Sequence, residues 1–327
     1  MALEYNDKSP APSSQPRQAT SAARSKESIL ALCQEAIRDF FSRINITIPA
    51  YLGDPELTSR VKEVIQTWDV DGSIGSPVNT AITLTFTAYN HIANFDTKLQ
   101  IALFTVIVLS LDDPVVLDSL PSREFHRLFS AGAPEAQSGL LAELTRLLPG
   151  MWDHYPRYAA SAISTSALDF VNMCILENET KDLVLSADAV PFLVYRRTKS
   201  ATAEAYAHFI WDKTKFPDVK EFVQAIPDTI VYINHVNDIL SFYKEELAGE
   251  TGNYIGDRAL IEGKSSLEIL REVIGETAAA AERVRHILGE GEARDAWESF
   301  ARGYIGVHTC SPRYRLQEVI GSQYIMT

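Results

Sequence analysis

Residues 223–245, VQAIPDTIVYINHVNDILSFYKE, hold the pattern that decides the fold of this 327-residue chain. Their apolar residues recur at intervals of three and four, the period of a helix with one buried face. The apolar positions are Val223, Ile226, Ile230, Ile233, Val236, Ile239 and Leu240. The same period returns along most of the sequence after residue 28, and no segment alternates convincingly as a strand would. The sequence therefore predicts an all-α protein.

Further helices are predicted from the same period, and turn residues mark the breaks between them. The predicted ranges are 78–96, 98–112, 134–148, 156–178, 188–211, 265–289 and 293–320. Breaks are predicted at residues 53–55, 113–114, 149–150 and 289–291. Residues 99–111 are apolar on most faces, which is typical of a helix inside a bundle. We predict one helical domain over residues 27–327 and a flexible tail over residues 1–26, which is largely polar and aperiodic.

Charge and composition narrow the class of partner. The chain has 43 acidic and 30 basic residues and a net charge of −13, so nucleic acid and anionic membranes would repel it. No apolar run reaches the roughly 18 residues that span a bilayer. Residues 1–27 also lack the apolar stretch of a signal peptide. We therefore expect a cytoplasmic protein that needs cations if its ligand is anionic.

A pair of carboxylates closes the most apolar predicted helix. Residues 111–114 read Leu-Asp-Asp-Pro, and Pro114 disfavours helical geometry at Asp113. Asp112 and Asp113 then lie at the negative end of the helix dipole, which penalises a carboxylate by roughly 0.3–1 kcal/mol. The pair indicates a bound cation, although a solvated helix end would also explain it.

Three oxygen-bearing side chains follow in the last helical turns of the opening segment. Asn237, Ser241 and Glu245 stand four residues apart, so each step turns about 40° and rises about 6 Å along one face. An amide oxygen, a hydroxyl and a carboxylate are hard ligands that suit Mg²⁺. A polar stripe on an exposed helix is the alternative interpretation, but the apolar residues beside these positions favour a buried segment.

Four motifs in this order resemble those of the class I terpene cyclases of the trichodiene synthase family. They are LDD at 111–113, SALDF at 166–170, NDILSFYKE at 237–245 and GYIGVHTCSPRYRL at 303–316, and the resemblance runs with gaps over residues 85–320. It implies a single-domain, class I terpenoid synthase-like helical bundle surrounding an active-site cavity. It further implies a homodimeric, Mg²⁺-dependent sesquiterpene cyclase that ionises farnesyl diphosphate, releases diphosphate and cyclises the carbocation to a C15 hydrocarbon or alcohol.

The resemblance also implies a role for each matched residue. Asp112 would bind two of three Mg²⁺ ions, and Asn237, Ser241 and Glu245 would bind the third. The expected diphosphate donors are Arg196, Arg197, Lys244, Arg313 and Tyr314. Position along the chain favours Arg196 of the two arginines, but the residues that follow depart from the family pattern and leave the choice open. The candidate aromatic residues of the cavity wall are Phe86, Tyr89, Phe104, Trp152 and Tyr304.

Departures from the family pattern restrict these expectations. In the family the aspartate-rich motif continues with more polar residues, whereas this chain has Asp113-Pro114. Asp112 is therefore the one residue of the motif that can be assigned as a metal ligand. Val307 stands in place of a tryptophan, so the pocket wall and the product are expected to differ from those of trichodiene synthase. Residues 246–266 are Gly-rich and polar, and we expect them to form a lid that diphosphate orders.

Other functions stay open at this point. A chain-elongating prenyltransferase would carry a second aspartate-rich motif, and the Asn-Ser-Glu set at 237–245 counts against it. A cyclase for a C10 or C20 prenyl diphosphate would use the same motifs. A helical isoprenoid-binding homologue without catalysis is the remaining alternative, and diphosphate binding without turnover would reveal it.

Overall fold

Helices and turns make up the regular structure of this chain. The computed structural model describes residues 26–47, 49, 51–70, 74–120, 122–133 and 136–320. Within these ranges there are fifteen α-helices, several short 3-10 turns and no strand, so the prediction of an all-α protein is confirmed. Lys26 begins the first helix, and the rest of the predicted tail lies outside the described residues.

The helices fall into two groups along the chain. The first group is α1 (Lys26–Ile44), α2 (Pro55–Ile65), α3 (Gly75–Ala88), α4 (Phe95–Leu111), α5 (Pro114–Asp118), α6 (Phe125–Ser130), α7 (Gly139–Leu147) and α8 (Met151–His154). The second group is α9 (Arg157–Glu179), α10 (Val190–Ser200), α11 (Ala203–His208), α12 (Ile226–Ala248), α13 (Tyr254–Glu262), α14 (Ser266–Leu288) and α15 (Glu292–Cys310). A 3-10 turn, Pro312–Tyr314, follows α15.

Two predicted helices are interrupted where the backbone leaves helical geometry. The predicted helix 78–96 includes Asn94, whose side chain caps α4 by accepting a hydrogen bond from the next turn. The predicted helix 188–211 breaks at Thr202, which has a left-handed φ of 48° and separates α10 from α11. Hydrophobic periodicity does not register a single residue of this kind, so the predicted helices run through both breaks.

The predicted lid, residues 246–266, contains a helix. Asn253 caps the start of α13. Gly249 follows the end of α12, Gly263 follows the end of α13, and both take positive φ. Arg258 of α13 then forms ion pairs with Glu272 and Glu276 of α14. About half of the segment is thus helical and tied to the bundle, and its ordering by diphosphate stays a prediction.

Helices α4 and α12 occupy the centre of the bundle. α4 packs against α2, α3 and α7, and α12 packs against α1, α11 and α14. α4 is buried along most of its length, as its apolar sequence predicts. Helix α9 is long and apolar enough to cross a membrane, but 56% of its most apolar stretch is buried, because α10 and α11 lie against it. It is therefore a core helix of the bundle.

Gly303 lets two of these helices touch through their backbones. A Cβ atom placed on Gly303 of α15 would lie 2.1 Å from the carbonyl oxygen of Thr87 and 2.6 Å from Cα of Ala88, both on α3. Any side chain at this position would collide with main-chain atoms, which cannot rotate away. The hydrogen on Gly303 therefore sets the separation between α15 and α3.

We expect Gly303→Ala to lower the free energy of unfolding by about 1–3 kcal/mol or more, because the added methyl group forces α15 away from α3. The matched control is Gly275→Ala in α14, where an added Cβ meets nothing within 4 Å. That change should raise stability by about 0.5–1 kcal/mol through the better helix propensity of alanine. Denaturant titration of both variants measures the difference, and equal stabilities would contradict the close contact.

Candidate active site

A cavity of about 210 Å³ lies among the helices that carry the predicted motifs. Its polar lining residues are Thr80, Thr105, Asp112, Arg197, Ser200, Thr202, Tyr206, Asn234, Asn237, Tyr304, His308, Arg313 and Tyr314. Its apolar lining residues are Leu84, Val108, Leu109, Phe170, Ala201, Ile233 and Val307. Six residues predicted from the sequence thus meet in one cavity: Asp112, Arg197, Asn237, Tyr304, Arg313 and Tyr314.

Asp112 caps the C-terminal end of α4, where the cavity opens. Its side chain is solvent-accessible, but the surrounding helices exclude enough water for burial to raise its pKa, against the opposing charges of Arg313 and Arg197. Asp113 behaves differently, because its Oδ1 accepts a hydrogen bond from the backbone nitrogen of Val115 at 2.9 Å and caps α5. The structure thereby separates the two carboxylates: one faces the cavity, and the other holds a helix end.

Asn237, Ser241 and Glu245 lie along one face of α12, and only Asn237 reaches the cavity lining. Ser241 is only 4% exposed, and its hydroxyl makes no hydrogen bond among the described residues. Thr229 on the same helix behaves in the usual way, since its hydroxyl donates to the carbonyl of Ala225 at 2.9 Å. A hydroxyl without a partner between an amide and a carboxylate is available to a cation.

These donors fit Mg²⁺ better than a softer metal. No three His, Cys, Asp or Glu side chains gather into a metal site within the described part of the chain. The candidate set instead mixes the carboxylates of Asp112 and Glu245 with amide and hydroxyl oxygens, all hard ligands. The nearest cation to Glu245 is the Nζ atom of Lys244 at 3.7 Å, too far for a good hydrogen bond, so the carboxylate retains acceptor capacity.

His308 orients the amide of Asn237. The Nδ1 atom of His308 lies 2.7 Å from the carbonyl oxygen of Tyr304, so Nδ1 must carry the proton. Nε2 then accepts a hydrogen bond from Nδ2 of Asn237 at 3.3 Å. Burial lowers the pKa of His308 to about 4, which keeps the ring neutral. The amide nitrogen of Asn237 is thereby engaged, and its oxygen, which also lies 3.3 Å from Nη2 of Arg197, keeps a second lone pair for a ligand.

Arg197 lies in the cavity wall, whereas Arg196 points to another helix. Nη2 of Arg197 lies 2.7 Å from Oδ1 of Asp238 and 3.3 Å from Oδ1 of Asn237. Arg196 forms an ion pair with Asp257 of α13 instead. The geometry therefore favours Arg197 as the diphosphate donor, against the preference for Arg196 that position along the chain gave.

Glu177 on α9 is a candidate residue that the sequence motifs did not reveal. It lines a neighbouring pocket with Pro114 and Arg196. Burial raises the pKa of its carboxyl, and the charge of Asp112 raises it further, while the two arginines at 196 and 197 oppose the shift. Two carboxylates that disfavour each other's ionisation could share a cation. No local motif surrounds Glu177, so only its position in the fold identifies it.

Four of the five predicted aromatic wall residues lie outside the cavity. Tyr89 and Phe104 are fully buried in the core, and Phe86 packs against a separate apolar cluster beside α2. Trp152 is 42% exposed and lines a surface pocket. The sequence identified buried helices but not which face meets the cavity. The aromatic residues that line it are Phe170, Tyr206, Tyr304 and Tyr314.

Lys244 also lies outside the cavity lining. Its Nζ atom is 3.4 Å from a carboxylate oxygen of Glu250, beyond the end of α12. Of the five predicted diphosphate donors, three line the cavity: Arg197, Arg313 and Tyr314.

The bundle and the cavity define a class I terpene synthase, and comparison with known proteins gives the family. A family model described as Trichodiene synthase (TRI5) matches residues 66–324. "Monoterpene synthase 25" of Postia placenta is 54% identical over 299 residues, which cover 91% of this chain and 90% of that protein. The chain therefore belongs to the trichodiene synthase family of terpene synthases.

More distant proteins agree with this assignment. "Alpha-cuprenene synthase COP6" of Coprinopsis cinerea is 33% identical over 296 residues, with 88% of this chain and 89% of that protein covered. The crystal structure of Linalool/Nerolidol synthase from Streptomyces clavuligerus matches with a TM-score of 0.58 and 14% identity, covering 79% of this chain and 98% of that one. At that identity the structural match establishes the fold alone, which is the bundle implied by the sequence motifs.

Replacing each arginine with lysine should separate their roles. Arg197→Lys should weaken the affinity for inorganic diphosphate in the presence of Mg²⁺ by about tenfold or more, because lysine cannot reproduce the forked contacts of the guanidinium. Arg196→Lys should change it by less than about threefold, because lysine can still pair with Asp257. Isothermal titration calorimetry gives both affinities, and a larger loss in Arg196→Lys would reverse the assignment.

Proposed function

We propose that this protein is a Mg²⁺-dependent terpene synthase that ionises a prenyl diphosphate, releases diphosphate and converts the carbocation into a terpene. One observation carries the proposal: acidic and amide oxygens stand opposite cationic donors at one end of a cavity whose remaining wall is mostly apolar or uncharged. Such a cavity suits a ligand with an anionic head and a hydrocarbon tail. The family assignment supports the same chemistry.

The metal ions of this proposal would bind at the polar end of the cavity. Asp112 would hold ions on the α4 side, and Asn237, Ser241 and Glu245 would hold an ion on the α12 side, with three ions in all expected from the family. Bound Mg²⁺ supplies Lewis-acid stabilisation of the leaving diphosphate.

The protein's own donors would act on the same leaving group. Arg197, Arg313 and Tyr314 line the cavity and can donate hydrogen bonds to diphosphate oxygens as negative charge develops there. Two of the three nitrogens of Arg197 are already held by the carboxylate of Asp238, so the guanidinium is positioned before the substrate arrives. Preorganised donors of this kind lose little free energy to reorientation during ionisation.

The tail of the substrate would lie against the apolar part of the wall. Phe170 and Tyr304 offer aromatic faces, which stabilise a nearby positive charge. Most of the wall between them is aliphatic or small, as in Leu84, Val108 and Ile233. The carbocation would be separated from bulk water there, beside the uncharged polar side chains that share the lining.

A short prenyl chain fits this cavity best. Its volume of about 210 Å³ lies below the roughly 300–1,000 Å³ of most ligand pockets. The relative at 54% identity is named a monoterpene synthase. We therefore place geranyl diphosphate before farnesyl diphosphate, which the sequence motifs favoured. Farnesyl diphosphate is the second candidate, because the relative at 33% identity is named for the sesquiterpene alpha-cuprenene. A cytoplasmic homodimer is part of the same proposal.

Incubation with geranyl, farnesyl and geranylgeranyl diphosphate, each with Mg²⁺ or with EDTA, tests the proposal. We expect C10 terpenes from geranyl diphosphate by gas chromatography and mass spectrometry, and none with EDTA. Turnover of farnesyl diphosphate alone would refute the chain-length assignment and leave the activity standing. A folded protein that binds these diphosphates and converts none of them would favour the isoprenoid-binding alternative. Size-exclusion chromatography gives the oligomeric state.

The two adjacent aspartates provide a matched pair of variants. Asp112→Asn should lower the turnover number by at least about 100-fold, because the cavity loses a carboxylate at its mouth. Asp113→Asn should keep turnover within a few-fold, because asparagine caps a helix as well as aspartate does. Steady-state rates of diphosphate release compare the two, and equal losses would argue against a separate role for Asp112.

A further inference from the structure

The amide side chain of Asn234 is a buried polar group without a partner. Asn234 is only 4% exposed and lines the cavity, and its Oδ1 atom makes no hydrogen bond within the described residues. Its backbone carbonyl accepts a hydrogen bond from Nη2 of Arg197 at 3.0 Å. Most buried polar atoms in proteins find a partner, and leaving one unpaired costs about 1–3 kcal/mol.

The position of Asn234 distinguishes it from the other unpartnered groups. Several described residues have a buried side-chain atom without a partner, and among them Asn234 is the one that lines the cavity. It precedes Asn237 by three residues, which is about 4.5 Å along the axis of α12. With the diphosphate end at Asn237, as the proposed function has it, Asn234 would face the first part of the hydrocarbon chain, where the carbocation would form.

The cavity can hold a water molecule at this point. A buried water needs roughly 10–15 Å³ and two or more polar partners. The cavity is far larger, and its wall also carries the Tyr206 hydroxyl, which donates to Oγ1 of Thr105 at 3.3 Å. An amide and hydroxyls in a wall that faces a carbocation would be a liability for a purely hydrocarbon-forming enzyme, since any water they retain is a nucleophile.

We propose that Asn234 holds a water molecule inside the cavity, and that this water captures the carbocation to give a terpene alcohol. The inference rests on the proposed function. A lone pair of the water oxygen forms the new C–O bond, and the resulting oxonium loses one proton to the diphosphate that ionisation has released. The amide oxygen accepts a hydrogen bond from the water and orients it, and the amide itself takes no proton.

Product analysis in H₂¹⁸O with Asn234→Leu tests this inference. The wild type should form mainly an alcohol that contains ¹⁸O. Asn234→Leu, which keeps the branching at Cγ and has no hydrogen-bonding group, should lower the alcohol fraction by about tenfold and raise the hydrocarbon fraction correspondingly. Because the readout is a ratio of products, it does not depend on the total rate. The melting temperature of this variant should not fall, since an unpartnered buried amide has been replaced by an apolar group.

Two further variants complete the experiment. Tyr155→Phe removes another buried polar atom without a partner, at a position outside the cavity lining, and it should retain the wild-type alcohol fraction. Asn234→Ser keeps a hydroxyl and should retain more alcohol than Asn234→Leu.

The outcomes separate this inference from the proposed function. A wild type that releases diphosphate but forms only hydrocarbons overturns the inference alone, as does an alcohol without ¹⁸O or an unchanged alcohol fraction in Asn234→Leu. A wild type that releases no diphosphate from any prenyl substrate overturns the proposed function and this inference with it.

Discussion

The buried ion pair between Arg197 and Asp238 is the interaction on which the site depends. It joins α10 to α12 through a 2.7 Å contact, and Nε of the same arginine lies 3.2 Å from the second carboxylate oxygen. Burial raises the pKa of Asp238 to about 6 even though the adjacent guanidinium opposes the shift. Removing one partner of such a pair leaves an uncompensated charge, at a cost of about 3–5 kcal/mol.

The carbonyl of Asn234 and the amide oxygen of Asn237 provide further acceptors for this arginine. One guanidinium therefore connects an ion pair, a main-chain carbonyl and a metal-ligand candidate. The desolvation cost of the charged pair is offset by this set of contacts, and in return the side chains of α10 and α12 have fixed relative positions. The ion pair therefore contributes more to the geometry of the site than to the net stability of the fold.

Charge is concentrated at one end of a cavity whose other walls are apolar or uncharged. Burial raises the pKa of both Asp112 and Glu177, and the charge of Asp112 raises that of Glu177 further, while Arg313 and Arg197 oppose the shift at Asp112. Like charges held this close are unfavourable without counterions, which is the expected state of a site that binds metal ions and an anion together. The other polar residues of the wall, above all Asn234, are uncharged. They add hydrogen-bonding groups to the part of the cavity away from the charged end.

Much of the fold was predictable from local sequence. The period of three and four determined that the chain is helical, and the apolar α4 was correctly expected inside the bundle. The spacing of Asn237, Ser241 and Glu245 determined that these side chains share one face of α12, since that follows from the helix repeat alone. The cap at Asn94 and the left-handed conformation of Thr202 were not predicted in this way. A hydrophobic period depends on many residues and does not record the backbone conformation of a single one.

Only the tertiary structure decided which helix faces meet. Arg196 and Arg197 differ by about 100° around α10, and sequence gives no reference direction for that rotation. Phe104 and Trp152 were plausible wall residues for the same reason, and Glu177 and Asn234 carried no motif at all. Helix orientation depends on non-local contacts such as that of Gly303 with Thr87, where two backbones approach so closely that only hydrogen fits between them. The sequence by itself determined the helices and their ligand-bearing faces, and packing decided which of those faces enclose the cavity.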